Sequence, residues 1–248
     1  MKKISIIAFI SIGLVLNVNA QTNSVSTISS EKIAKQEAKD LAKLIECGPI
    51  NSNTSGISIR GYVAGGVSGI TSNGFGFKGK YDMMESSPIF SYNIGVDVQL
   101  PLFGCDKFGF RPGLSLQSQG AKFTMDGYDE YDDYDFEIKL LYIKAPVLVE
   151  YDVCEKFNLF GGVKLGYLLS GKQEYEDESY DIKDELNSID FSGTLGAEYK
   201  FYCNDKISIG AGINYDFGFL DIYDNDDEYD NYDKFKNSGL LASISASF

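Results

Sequence analysis

The chain has 248 residues, with 22 Lys or Arg against 36 Asp or Glu, no histidine, and a formal net charge of −14. Without His, Ser-His hydrolysis, His-ligated metals and His general-base chemistry are excluded, and the acid excess speaks against any nucleic-acid partner. The excess is local, since residues 125–137, 174–185 and 221–233 hold 21 of the 36 acids, seven in each, among repeated tyrosines.

In chain order, the first element is a signal peptide over residues 1–20. Two lysines precede an apolar run that ends at Val18-Asn19-Ala20, a small-residue cleavage pattern. The run is short for a membrane-crossing helix, which needs about 20 apolar residues. Position 21 is Gln, so a lipid-modified cysteine is not indicated, and loss of Lys2 and Lys3 takes the formal charge to −16. Residues 21–56 form an N-terminal segment with one short amphipathic helix. Ser30 can cap it, Ala34, Ala38, Leu41 and Ile45 make its apolar stripe, and Gly48-Pro49 ends it. Such a helix would pack against the rim of the following domain or dock a partner.

From residue 57 to the end, period-two alternation predicts eight strands. The first lies over about 57–67. In "FSYNIGVDVQL", Phe90, Tyr92, Ile94, Val96, Val98 and Leu100 oppose Asn93, Gly95, Asp97 and Gln99. In "FGFRPGLSLQSQ", Phe108, Phe110, Leu114 and Leu116 oppose Arg111, Gly113, Ser115 and Gln117. A further strand lies over about 141–151. Alternation continues through "FNLFGGVKLGYLL", "IDFSGTLGAEYKF", "ISIGAGINYDFGF" and "LLASISASF". Between them, long connections (68–88 and the three acidic segments) alternate with tight turns at 104–107, 152–156 and 202–205.

Short turns at one rim and long loops at the other describe an up-and-down outer-membrane barrel. The fold class expected is all-β: an eight-stranded antiparallel up-and-down transmembrane β-barrel over residues 57–248, preceded by a short N-terminal helix. A soluble sandwich or lipocalin-like barrel would invert the two faces. The polar face decides, because its small residues and few charges suit the cramped interior of eight strands. The long loops would then be extracellular, and the short turns and N-terminal segment periplasmic.

The stretch "FSYNIGVDVQLPLFGCDKFGFRPGLSLQSQGAKF", followed by "LYIKAPVLVEYDVCEKFNLFGGVKLGYLLSGK", resembles the PorT-like outer-membrane barrel family of Bacteroidota over about 57–248. The terminal aromatic Phe248 resembles the signal read by outer-membrane insertion machinery. The resemblance implies the barrel fold and places outer-membrane lipid and that machinery among the partners. It also implies a secretion-system link without transferring any residue's role, and the acidic loops look particular to this chain.

The four cysteines fall at one predicted rim, with Cys105, Cys154 and Cys203 in the short turns and Cys47 just before the first strand. Disulfides can form in that compartment. Pairing across neighbouring turns favours Cys105–Cys154 with Cys47–Cys203, or Cys154–Cys203 with Cys47–Cys105; free thiols are the alternative. The polar face predicts an interior charge network of Arg60, Asp97, Arg111, Lys144, Glu150, Lys164, Glu198, Lys200 and Asp216. Asp97 should face Arg111 across its hairpin, and Lys144 should face Lys164, which requires a carboxylate from another strand.

No catalytic constellation emerges, so the chain is not expected to be an enzyme. "GFGFKG" (Gly74, Gly76, Gly79) matches a dinucleotide fingerprint but lacks the surrounding βαβ unit. The acidic loops have three readings. They could be a solvated, repulsive surface. Asp224, Asp226, Glu228 and Asp230 could hold Ca²⁺, although the spacing is not that of an EF-hand, and no other cofactor is expected. Tyrosines such as Tyr128, Tyr131, Tyr134, Tyr223, Tyr229 and Tyr232 could contact an extracellular or secretion-system protein. The function expected is structural or surface-interacting, with a plugged lumen; the alternatives are an accessory factor in secretion or envelope assembly, or a small pore.

Overall fold

The computed structural model describes residues 57–71, 76, 79–81, 84–102, 107–125, 134–175, 178–204, 206–223 and 234–248. The signal peptide, the 21–56 segment with its helix, Cys47, Cys105, the Ca²⁺ candidates Asp224, Asp226, Glu228 and Asp230, and Tyr128, Tyr131, Tyr229 and Tyr232 lie outside the described residues.

The described residues form β1 (Ser58–Thr71), β2 (Gly79–Tyr81), β3 (Met84–Pro101), β4 (Phe108–Met125), β5 (Tyr134–Cys154), β6 (Phe157–Tyr175), β7 (Glu178–Asp181), β8 (Ile189–Cys203), β9 (Ser208–Gly218) and β10 (Lys236–Ser247), with a 3₁₀ turn at Lys183–Glu185. The eight long strands close into an antiparallel barrel. Each pairs with its neighbours, and β1 completes the ring by pairing β10 on one side and β3 on the other. Closure gives every barrel strand two partners and so satisfies backbone groups that lipid cannot. The short β2 and β7 extend β3 and β6 at the long-loop end.

Three of the expected loops contain strand. The stretch 68–88 holds β2 and the start of β3, and the acidic segments contribute the first residues of β5, the last of β6 and all of β7. The alternation is masked in these residues because the few inward apolar ones, such as Phe136, stand among many acidic neighbours. With 18, 21 and 19 residues, β4, β5 and β6 exceed the roughly 9–11 that cross a bilayer.

The faces change character along the barrel. Through its middle the outward residues are bare apolar side chains, such as Phe90 at 72%, Leu195 at 61% and Ile244 at 60% exposure, while the inward ones are polar and buried. Toward the long loops the inward residues become Ile70, Ala121, Phe123, Phe136, Ile138, Leu140 and Leu168, joined in one buried cluster by Ile182, Leu186 and Ile222 from the loops. Phe123 and Phe136 stack at 5.2 Å. The outward residues at that level are Lys122, Asp135, Glu137, Lys139 and Glu174, which pair with one another on the surface. Two loop segments are sewn together above the cluster: the Asn187 amide donates to the Ile222 carbonyl (2.8 Å), and the Ile222 amide donates to the Phe235 carbonyl (2.8 Å).

Candidate functional site

The interior polar residues reach one another because alternation through the middle of each strand turns them inward and the barrel is narrow enough for opposite walls to touch. They form two tiers. Nearer the short turns, Arg60 on β1 donates to Asp97 (2.6 Å) and to Glu198. Arg111 on β4 donates to Glu150 (2.7 Å) and more weakly to Asp97 (3.4 Å). Gln99 donates to Glu150 (3.1 Å). Each guanidinium also covers a ring, Arg60 over Tyr62 at 4.9 Å and Arg111 over Phe160 at 4.8 Å.

In the second tier, Lys164 donates to Asp216 (2.7 Å). Thr194 (2.6 Å), Gln117 (2.9 Å) and Asn214 (2.9 Å) donate to the same carboxylate. Lys144 donates to Asp190 (2.7 Å) and Gln119 (2.8 Å). Asn237 (3.2 Å) and Ser192 (3.2 Å) complete the Asp190 shell. Both carboxylates thus accept a lysine and several neutral donors, which is the condition under which a buried charge is tolerated.

Arg60, Asp97, Arg111, Lys144, Glu150, Lys164, Glu198 and Asp216 are all buried on the inner face. Lys200 differs: its side chain is 17% exposed and sits 3.9 Å from Asp152 at the short-turn rim. The registers also differ from the expected ones. Asp97 lies opposite Gly113 on β4 and opposite Arg60 on β1, so Arg111 reaches it only diagonally. Lys144 lies opposite Gly166, and Lys164 opposite Pro146. Both registers are centred one residue beyond 104 and 154, which shifts each cross-strand pair by two. Each lysine meets its own carboxylate from another strand, Asp190 on β8 and Asp216 on β9, and Asp190 joins the network although it stood outside the residues expected there. Its parity was legible, but its place as the second residue of β8 put it at the edge of the readable strand.

At the short-turn rim Cys154 is disulfide-bonded, and Cys203 is a free, exposed thiol. Both favoured pairings used Cys203, so neither stands as a whole. At the long-loop end burial raises the Tyr223 hydroxyl pKa, and a hydrogen bond to Glu178 raises that of exposed Tyr180. Gly76 lies at positive φ, its amide donating to the Tyr215 hydroxyl (2.7 Å), and no βαβ unit surrounds it among the described residues. Among the described residues no group of three His, Cys, Asp or Glu is placed to hold a metal ion.

The family model "Outer membrane protein beta-barrel domain" matches residues 8–224. No curated protein sequence matches this chain. Among solved structures the chain is similar to Ail, the attachment invasion locus protein of Yersinia pestis, in complex with the heparin analogue sucrose octasulfate (15% identity, 77% of this chain, 96% of that one, TM-score 0.37). It is also similar to Neisserial surface protein A (10%, 78% and 98%, TM-score 0.40) and to OprG of Pseudomonas aeruginosa (16%, 77% and 94%, TM-score 0.35). With scores this low, the fold rests on the chain's own strand pairing and on the family match.

Proposed function

The chain belongs to the outer membrane protein beta-barrel domain family, and from that premise we propose that it is a non-conducting, non-catalytic outer-membrane barrel whose acidic, tyrosine-rich loops engage a partner outside the cell. The observation that carries this reading is the way the interior is occupied. The buried cations are paired with carboxylates from other strands, and the long-loop mouth is occupied by apolar side chains. An ion entering would have to displace paired charges and then cross a dry apolar layer.

The long loops face outward and the short turns face the periplasm in this reading, as in barrels of this build. The tyrosines offer rigid, amphipathic contact area, and the carboxylates select a basic partner. Lack of His removes the commonest general base, which supports a non-enzymatic role. The PorT-like motifs favour a second reading, an accessory role in secretion or envelope assembly.

Planar-bilayer recording tests the first reading: the pure protein should give no steady step currents, and stable ohmic channels would overturn it. Cross-linked pull-downs with and without residues 126–133 and 224–233 separate the two roles. Loop-dependent capture supports an outside partner, and unchanged capture of a periplasmic component supports the second reading.

A further inference from the structure

A cavity of about 30 Å³ lies within the charged interior, lined in part by Arg60, Asn93, Asp97, Arg111 and Leu148. The first four side chains are each at least 97% buried, yet each keeps one polar atom without a hydrogen-bond partner. These atoms are Arg60 Nε, Arg111 Nε, Asn93 Oδ1 and Asp97 Oδ1. The set is two donors and two acceptors. Buried polar atoms of native proteins are otherwise almost always satisfied.

The balance of the set identifies what fits. A chloride would meet two guanidinium N–H groups but also a carboxylate oxygen and an amide oxygen, both acceptors that repel an anion. A metal cation would meet the oxygens but also two fixed positive charges. Water donates two hydrogen bonds and accepts two, and about 10–15 Å³ suffices for one molecule in a polar site. We propose that the barrel interior holds one or two ordered water molecules between Arg60, Asn93, Asp97 and Arg111, and that they are a built part of the charge network. The waters relay Asp97 Oδ1 to the guanidinium edges that the direct ion pairs leave unused. This goes beyond the closed-barrel reading, since it divides the interior into a wet charged tier and a dry apolar one.

Two buried leucines on β5 provide the test, because Leu148 lines the cavity and Leu140 belongs to the apolar cluster. The full chain, with ¹³C-labelled leucine methyls in a deuterated background, is examined in micelles for methyl-to-water NOE cross-peaks. Cross-peaks should appear at Leu148, be absent at Leu140, and vanish at Leu148 in Asn93→Leu, which fills the space and removes an acceptor. A heat-dependent gel shift reports whether that variant folds, and the wild-type comparison stands without it. No cross-peak at Leu148 would show the cavity to be dry and end the proposal. So would a Leu148 cross-peak that survives in folded Asn93→Leu. Cross-peaks at both leucines would reveal a continuous water column, overturning the held cluster. Bilayer currents read the closed-barrel proposal separately, so either idea can fail alone.

Discussion

The middle of the barrel and its long-loop end are built from the same strands, and β4 and β5 keep one alternation through both, yet the two regions are chemical inverses. Along β5 the inward residues run Glu150, Leu148, Pro146, Lys144, Tyr142 and then Leu140, Ile138, Phe136, while the outward ones run Val149, Val147, Ile143 and then Lys139, Glu137, Asp135. The swap occurs between Lys144 and Leu140. Below it the outer face meets lipid, so apolar groups point out and charges must pair inside. Above it the outer face meets water, so charges point out and an ordinary hydrophobic core can form inside. Solvent, not strand geometry, decides which face is polar.

The sharpest way to break this contrast is to unpair a charge below the swap. Asp216→Ala leaves Lys164 buried without its carboxylate and should lower stability by about 3–5 kcal/mol, read from the urea midpoint of the barrel in detergent. Adding Lys164→Met should recover much of that loss. Asp97 behaves differently because Arg60 and Arg111 share it. Adding Arg111→Met to Asp97→Ala should therefore restore only part of the loss, since Arg60 retains Glu198 alone.

A second pair of variants sets the two regions side by side. Leu140→Ala cuts a core above the swap and should cost about 2–5 kcal/mol. Ile94→Ala, on the outward face below it and 52% exposed, should shift the same midpoint little, because lipid tails are as apolar as the lost side chain. Equal losses at both sites would erase the distinction.

Smaller effects mark the boundary and the surface. Gly120 lies near the swap on β4 with φ +146°, and an added Cβ would come 1.9 Å from the Ile138 carbonyl oxygen. Gly120→Ala should cost at least about 1–3 kcal/mol through strain, seen as a lower midpoint with the heat-dependent gel shift retained. Lys122→Gln removes an exposed ion pair with Asp135 and should leave the midpoint within error, since surface pairs contribute little.

Much of this was legible in the sequence. Eight strands and the parity of each face follow from period-two alternation, and the small, polar character of one face then put Arg60, Asp97 and Asp216 inside. The register was not, because a hairpin whose turn is displaced by one residue keeps its parity while moving every cross-strand partner by two. The swap was also hidden. Phe136 and Ile138 sit among acidic residues that read as loop, and alternation does not say which face is in. Only the structure, which brings Phe123, Phe136, Ile182 and Ile222 together from four segments, shows a core there. The cysteines lay at one rim as read, but four thiols allow three pairings, and spacing could not say that Cys203 stays free.

The outer face changes solvent at the swap, and spin-label accessibility reads that change residue by residue. In a Cys203→Ser background, single labels replace Ile94 and Leu165 below the swap and Lys122 and Lys172 above it, in protein reconstituted into bilayers. Lipid-soluble oxygen should relax the first pair and a water-soluble nickel chelate the second. Nickel access at Ile94 and Leu165 equal to that at Lys122 and Lys172 would contradict that change of solvent.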